Sequence, residues 1–290
     1  MTAPEAVPRS YLYVPGDQPE KLSKALDRGA DAVIVDLEDA VAPAAKESAR
    51  AAVAEWLRSR PPRAEVEVWV RINPGAAGRQ DAAAAAVGPG LAGLVTAKTE
   101  SAADLVALDG ALRSAEVAAG LPVGQVAVAP LLESAAAVLA ASSIAQGPRV
   151  RRLQIGEADL RADLGLPPGD GDPELLYVRS QVVLVSAACG LAPPVGPVAT
   201  DFRDQERLRS STHALARLGF VGRACIHPAQ VAVVNEVFTP APEEVDRARA
   251  LVARFERAVA EGSGVLLDDA GRMVDEAVIR QARRLLGRVR

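Results

Sequence analysis

A (β/α)8 barrel with a C-terminal helical extension is the fold class that this sequence predicts, on three observations. Short apolar runs alternate with longer helical patterns eight times between Tyr11 and Val237, the rhythm of parallel strands joined by crossover helices. The 290 residues, 49% of them hydrophobic, suffice for one barrel of roughly 250 residues plus an appendage. The pattern then changes after Pro240, where the strand–helix rhythm stops. An open doubly wound sheet would use the same alternation; eight units favour closure.

Tyr11–Val14 reads as the first strand, and Pro15-Gly16 turns the chain after it. Pro19 opens a helix through about Arg28, which Gly29 ends, the usual placing of proline and glycine at helix ends. Ala32–Leu37 (AVIVDL) is a strand apolar on both faces, and Pro43–Leu57 is helical. Val66–Ile72 is the third strand. A looser segment with Gly75, Gly78, Gly88 and Gly90 encloses a short helix at Ala82–Ala86. Gly93–Ala97 is the fourth strand, before a helix at Ala102–Ala119 closed by Gly120. Val126–Leu131 is strand five, followed by a helix over Ser134–Ala141. Arg152–Ile155 is strand six, and Glu174–Cys189 a long helix ended by Gly190. Strand seven, Ala192–Val198, is broken by prolines; a helix over Asp204–Leu218 follows it. Ala224–Ile226 is strand eight, and Ala229–Val237 starts the last helix of barrel type. The catalytic barrel is therefore expected over residues 1–240. Residues 241–290 form the extension: a Glu- and Arg-rich helix at Pro242–Ala260, a break at Gly262-Ser263-Gly264, a turn or hairpin around Asp268–Gly271, and a final helix at Asp275–Leu286. This tail is expected to pack on the barrel or on a neighbouring subunit.

Composition removes several function classes. Lys and Arg total 33 against 37 Asp and Glu, a formal charge of −4, so no global basic field draws nucleic acid or an anionic membrane. Aromatics are 3% of residues, too few for base-stacking platforms. No long apolar stretch escapes interruption by glycine or proline, so no transmembrane helix is expected. The first ten residues carry Glu5, Arg9 and two prolines, unlike a secretory leader. With only Cys189 and Cys225, no disulfide framework is expected, and a cytoplasmic location fits. The glycines form neither a dinucleotide fingerprint nor a Walker loop, and no His pair has zinc spacing.

In a barrel of this class the active site lies at the C-terminal ends of the strands. Those ends carry Asp36, Glu38 and Asp39 (second), Arg71 and Asn73 (third), Lys98 and Glu100 (fourth), Glu133 (fifth), Glu157 and Asp159 (sixth), Asp201 and Asp204 (seventh) and His227 (eighth). Many carboxylates thus meet two cations of buried type, Arg71 and Lys98. Like charges at close range cannot all ionise unaided; Mg2+, which takes one or two carboxylates plus water, would neutralise them. Glu133 and Asp159, at adjacent strand ends, are the natural pair. Each carboxylate taken singly could instead cap the helix that follows it. His227 divides between a ligand contact and a structural hydrogen bond, whereas His213 reads as a helix packing residue.

Six segments in order resemble one family: Arg9-Ser-Tyr-Leu-Tyr-Val-Pro-Gly16, Asp36-Leu-Glu-Asp-Ala-Val41, Val70-Arg-Ile-Asn73, Leu132-Glu133-Ser134, Asp159-Leu160 with Asp163-Leu-Gly165, and Cys225-Ile-His-Pro-Ala-Gln230. The chain resembles the citrate lyase beta-subunit-like CoA-ester lyases of the HpcH/HpaI aldolase group, from Arg9 to about Leu286. The resemblance implies a (β/α)8 barrel assembled as a homotrimer or homohexamer. It implies Mg2+-dependent cleavage, or the reverse condensation, of a 3-hydroxyacyl-CoA such as citryl-, malyl- or citramalyl-CoA into an acyl-CoA and a 2-oxo acid. It assigns Glu133 and Asp159 to the metal, and Arg71 to the enolate or thioester oxygen. It sets Asp36, Glu38, Asp39 and Lys98 behind these groups, and Tyr13, Lys21 and Lys24 near CoA. In the tail, Gly271-Arg-Met-Val-Asp275 resembles a family segment whose aspartate is a general acid/base reaching a neighbour's site.

The chain departs from relatives at three points. Glu157 stands two residues before Asp159 in place of an acid immediately before it, and on a strand it would point to the other side from that adjacent position. Ala97 replaces a proline before Lys98, and Gln18 stands where relatives carry Arg. An aldolase acting on free 2-oxo acids, a non-autonomous subunit of a citrate lyase complex and a barrel that only binds are the competing readings.

Overall fold

The computed structural model describes residues 7–61, 65–86, 88–167, 169 and 171–289; Met1 to Ala6 and Arg290, which the sequence reading included, lie outside them. The chain divides into two compact units, Pro8–Glu236 and the segment from Val237 onward with the N-terminal residues before Pro8. Eight parallel strands of the first unit close into a barrel in sequence order. They are β1 (Ser10–Pro15), β2 (Ala32–Asp36), β3 (Glu67–Ile72), β4 (Leu91–Thr96), β5 (Ala127–Leu132), β6 (Gln154–Ile155), β7 (Val195–Gly196) and β8 (Gly222–Cys225). The helices between them are α1 (Pro19–Ala25), α2 (Lys46–Arg58), α3 (Gly75–Ala85), α4 (Ala102–Ala118), α5 (Ala135–Leu139), α6 (Ala141–Ala145), α7 (Glu157–Leu164), α8 (Leu176–Ala188) and α9 (Gln205–Leu218), with α10 (Val231–Phe238) after β8.

Period-2 alternation builds the barrel interior and aims the site. Tyr11, Ile34, Trp69, Val95, Leu131, Val195 and Ala224 form the inner core cluster. Two residues further along their strands, on the same face, stand Tyr13, Asp36, Arg71, Ala97, Glu133 and Ile226. The register fixes these as neighbours: Pro15 pairs with Asp36, and Asp36 with Arg71. Arg152 lies lower, beneath Tyr11, where its guanidinium stacks on the tyrosine ring and donates to the Tyr11 hydroxyl and the Pro193 carbonyl.

The structure departs from the sequence expectation at β6, β7, α3 and α7. β6 and β7 are two residues long rather than four and seven. Pro193, Pro194 and Pro197 have no N–H to give the ladder, which continues only through single bonds such as Val195 N to the Leu153 carbonyl, 2.9 Å. α3 starts at Gly75 rather than Ala82: Gly75 opens it in a left-handed conformation, φ 64°, and Gly78 marks a close approach, where a Cβ would strike the Asn73 carbonyl. Most consequentially, Glu157 and Asp159 do not continue β6. They occupy the first turn of α7, which Gly165 closes in a left-handed conformation.

In the second unit α11 (Pro242–Ala260) is followed by a hairpin of β9 (Leu266–Leu267) and β10 (Met273–Val274), then α12 (Glu276–Leu286). Phe255, Val274 and Ile279 make its core. Among the described residues no helix is long and apolar enough to cross a membrane.

Candidate active site

Arg71 organises the C-terminal mouth of the barrel. Its Nε and Nη2 donate to the two Asp36 carboxylate oxygens at 2.7 and 2.5 Å, a bidentate fork. Nη1 stands 3.1 Å from Glu38 Oε2. Burial opposes its charge, but Asp36, Tyr13 and Glu38 more than offset this, so its pKa is raised and it stays protonated. The guanidinium lies over the Tyr13 ring at 5.1 Å. Three of its five N–H bonds are engaged, which fixes its plane and leaves one on each terminal nitrogen.

The carboxylates behind Arg71 are themselves held. Asp36 caps the turn that follows β2, accepting from Glu38 N (2.8 Å) and Ala40 N (3.1 Å). Glu38 accepts from Lys98 Nζ at 2.7 Å, a bond that raises the Lys98 pKa. Asp39 is more exposed, 3.6 Å from Arg71 and 3.8 Å from Lys98. Lys46, which the sequence reading missed, ties this turn to β3: its Nζ donates to the Leu37 and Glu38 carbonyls and to Asn73 Oδ1 at 3.1, 2.9 and 2.5 Å.

Glu133 differs from these acids. It is 5% exposed, yet among the described residues no cationic side chain pairs with it; its bond is from the Lys98 backbone N–H to Oε1, 2.5 Å. Lys98 reaches that pose through a left-handed backbone, φ 51°, uncommon for a residue with a Cβ. Burial, then Asp159 and Glu38, push Glu133 up to about 7 against the pull of the Lys98 N–H. Gly156 makes room for it: a Cβ there would stand 2.7 Å from the Glu133 Cβ. Asp159, exposed on α7, shares with Glu133 and Arg71 the wall of a cavity of about 410 Å³ whose apolar side includes Leu131, Val198 and Ile226.

The structure thus brings Tyr13, Asp36, Asp39, Arg71, Glu133 and Asp159 to one cavity, with Glu38 and Lys98 bonded behind it. Tyr13 supports Arg71 from below, its hydroxyl accepting from Gln154 Nε2 at 3.0 Å. Lys21 and Lys24 are exposed on α1 and do not line the cavity. Asp275 is the N-cap of α12 in the second unit, accepting from Ala277 N and Val278 N at 2.9 and 3.1 Å. Glu157, placed on a strand by the sequence reading, instead meets Arg179 from α8 in a fork of 2.6 and 2.7 Å.

The donor set suits a small hard cation. Two carboxylates on one cavity, one of them buried without a counter-charge among the described residues, match an ion that takes few protein oxygens and keeps water. Among the described residues no group of three or more His, Cys, Asp or Glu forms a complete cage.

Comparison with known proteins identifies the family. The HpcH/HpaI aldolase/citrate lyase family model matches residues 9–228. The citrate lyase subunit beta-like protein of Deinococcus radiodurans is 34% identical over 99% of both chains. The L-malyl-CoA/beta-methylmalyl-CoA lyase of Rhodobacter capsulatus is 33% identical over 97% of this chain and 94% of its own length. The crystal structure of CitE from Mycobacterium tuberculosis with magnesium, acetoacetate and coenzyme A superposes with a TM-score of 0.77 at 31% identity, covering 98% of each chain. On sequence and fold, this chain belongs to the HpcH/HpaI aldolase/citrate lyase family.

Proposed function

We propose that the protein is a Mg2+-dependent carbon–carbon lyase that cleaves a 3-hydroxyacyl-CoA thioester into an acyl-CoA and a 2-oxo acid, or runs the condensation in reverse. The observation that carries this reading is Glu133, a buried carboxylate without a cationic partner, sharing one cavity with Asp159 and the immobilised Arg71. The magnesium and coenzyme A held by the Mycobacterium tuberculosis relative, and the malyl-CoA lyase named from Rhodobacter capsulatus, support it.

Glu133 and Asp159 would hold Mg2+. When bound, the ion supplies Lewis-acid stabilisation of charge on the 2-oxo acid's carbonyl and carboxylate. In cleavage, the C3 hydroxyl passes its proton to solvent water, the C2–C3 bond breaks, C3 becomes the carbonyl of the 2-oxo acid, and the bond's electron pair moves into the thioester as an enolate. Arg71, locked by Asp36 and Glu38 and backed by Tyr13, presents its remaining N–H bonds to the enolate oxygen without reorganising. Lys98 fixes Glu133 through its backbone and Glu38 through its ammonium. The C2 carbon then takes a proton from a carboxylic acid, the role we assign to Asp275, contributed within a homotrimer or homohexamer. The acyl group belongs to the citryl-, malyl- and citramalyl-CoA class, with Lys21 and Lys24 near the CoA.

A panel of 3-hydroxyacyl-CoA thioesters and the matching free acids, assayed with and without Mg2+ and followed by mass, tests the reading. Mg2+-dependent cleavage of a thioester, with the free acid inert, is expected. Equal turnover of the free acid would instead identify a CoA-independent aldolase.

A further inference from the structure

Behind the first turn of α7 lies a second cavity of about 390 Å³, walled by α7, α8, α9 and the outer face of β8. Glu157, Ala158 and Val198 line both this chamber and the active-site cavity. Two of its four arginines are matched to carboxylates. Arg179 forks onto Glu157 and reaches Asp172 at 3.2 Å. Arg161 holds Asp172 and Glu174 at 2.5 and 2.8 Å. Asp201 and Asp204 are exposed and accept from the backbone N–H of Arg203 and Arg207 at 3.0 and 2.9 Å.

Arg223 is left over. It is 4% exposed on β8, and its partners are neutral: the Pro197 carbonyl at 2.9 Å, Ser211 Oγ at 2.8 Å, Thr212 Oγ1 at 2.7 Å and the Leu208 carbonyl at 3.4 Å. Among the described residues Nη2 takes no hydrogen bond partner and no carboxylate stands within ion-pair distance. Burial pulls its pKa down to about 10. Among the described residues Arg207, exposed on the same wall, makes one long side-chain bond, 3.4 Å to the Gly169 carbonyl. A buried guanidinium lacking a counter-charge is costly, and its planar fork matches carboxylate and phosphate oxygens.

We propose that this chamber is a second anion-binding site, apart from the active site, in which Arg223 and Arg207 receive a small oxyanion, a phosphate or a dicarboxylate. An occupant beside Arg179 would compete with Glu157 for that arginine and so act on the turn that carries Asp159.

Calorimetric titration of the full chain with sodium phosphate and, separately, with succinate, at an ionic strength fixed by chloride, tests this. Saturable uptake of at least one of the two is expected, unchanged in Arg71→Ala and at least tenfold weaker in Arg207→Ala. Uptake of phosphate alone assigns a phosphate ligand, and of succinate alone a dicarboxylate. Arg223→Met is expected to abolish uptake; should it fail to fold, Arg207→Ala, an exposed substitution, decides. No saturable uptake of either anion, or uptake that Arg207→Ala leaves intact, overturns the proposal. Neither readout involves turnover, so the result is independent of the proposed lyase reaction.

Discussion

At the residue scale, Arg71 and Glu133 do opposite things with burial. Arg71 keeps its charge because Asp36 and Glu38 surround it; Glu133 is pushed up to about 7 by burial, with Asp159 and Glu38 adding to the shift. Two outcomes are expected. Arg71→Lys keeps the positive charge but cannot reproduce the planar fork, so turnover should fall by about 10²–10³, the usual loss for one donor at a developing oxyanion. Steady-state rates check this, and turnover within about tenfold of wild type would remove the assigned role. For Glu133 the sign follows from its raised native pKa. Between about 4.5 and 7 the folded protein holds the proton that the unfolded chain has released, so metal-free stability falls as pH rises through that window and levels off above it. The loss is on the order of 3 kcal/mol. Denaturation curves of Glu133→Gln should lack this component, and parallel pH profiles would contradict the assignment.

At the scale of elements, the site rests on strand register and on one short helix. The inner-face residues could be found in the sequence, because each strand's apolar alternation continues by two residues into its polar end: Ile34 to Asp36, Trp69 to Arg71, Leu131 to Glu133. The α7 helix was not legible. Its eight residues follow a two-residue strand with only a glycine between, too little pattern for periodicity to separate strand from helix. The partnership of Glu157 with Arg179 was equally hidden, as was that of Tyr13 with Gln154, 141 residues apart. Sequence shows strand ends but not which side chains meet across the barrel. The junction of β6 and α7 also carries a sharp dependence. In Gly156→Ala the new Cβ would meet Glu133 Cβ at 2.7 Å and Oε2 at 2.9 Å. Such overpacking is expected to cost about 1–3 kcal/mol and to weaken Mg2+ binding by displacing Glu133. Chemical denaturation and Mg2+ calorimetry measure the two effects, and an unchanged metal affinity would show that Glu133 is not a ligand.

For the whole molecule, the eight-unit rhythm was enough for closure, since the barrel runs in sequence order from β1 to β8. The tail's helices and hairpin were readable from Pro242, the Gly-Ser-Gly break and Asp275, whereas the acyl group was not, because selectivity lies in side chains brought together from distant strands. The role assigned to Asp275 belongs at this scale. Mixing Asp275→Ala with Glu133→Ala subunits under exchange should restore activity, since some mixed sites combine an intact Glu133 with an intact Asp275. Silence after verified exchange would contradict a shared site.

The central claim is that carbon–carbon cleavage passes through a thioester enolate, and cleavage in D2O tests it most directly. With Mg2+ and a cleavable 3-hydroxyacyl-CoA, the enolate carbon takes its proton from a group equilibrated with solvent. The account predicts an acyl-CoA product carrying a single deuterium at C2, formed together with the 2-oxo acid. Release of free CoA with an intact, undeuterated 3-hydroxy acid would mean thioester hydrolysis, and would contradict it.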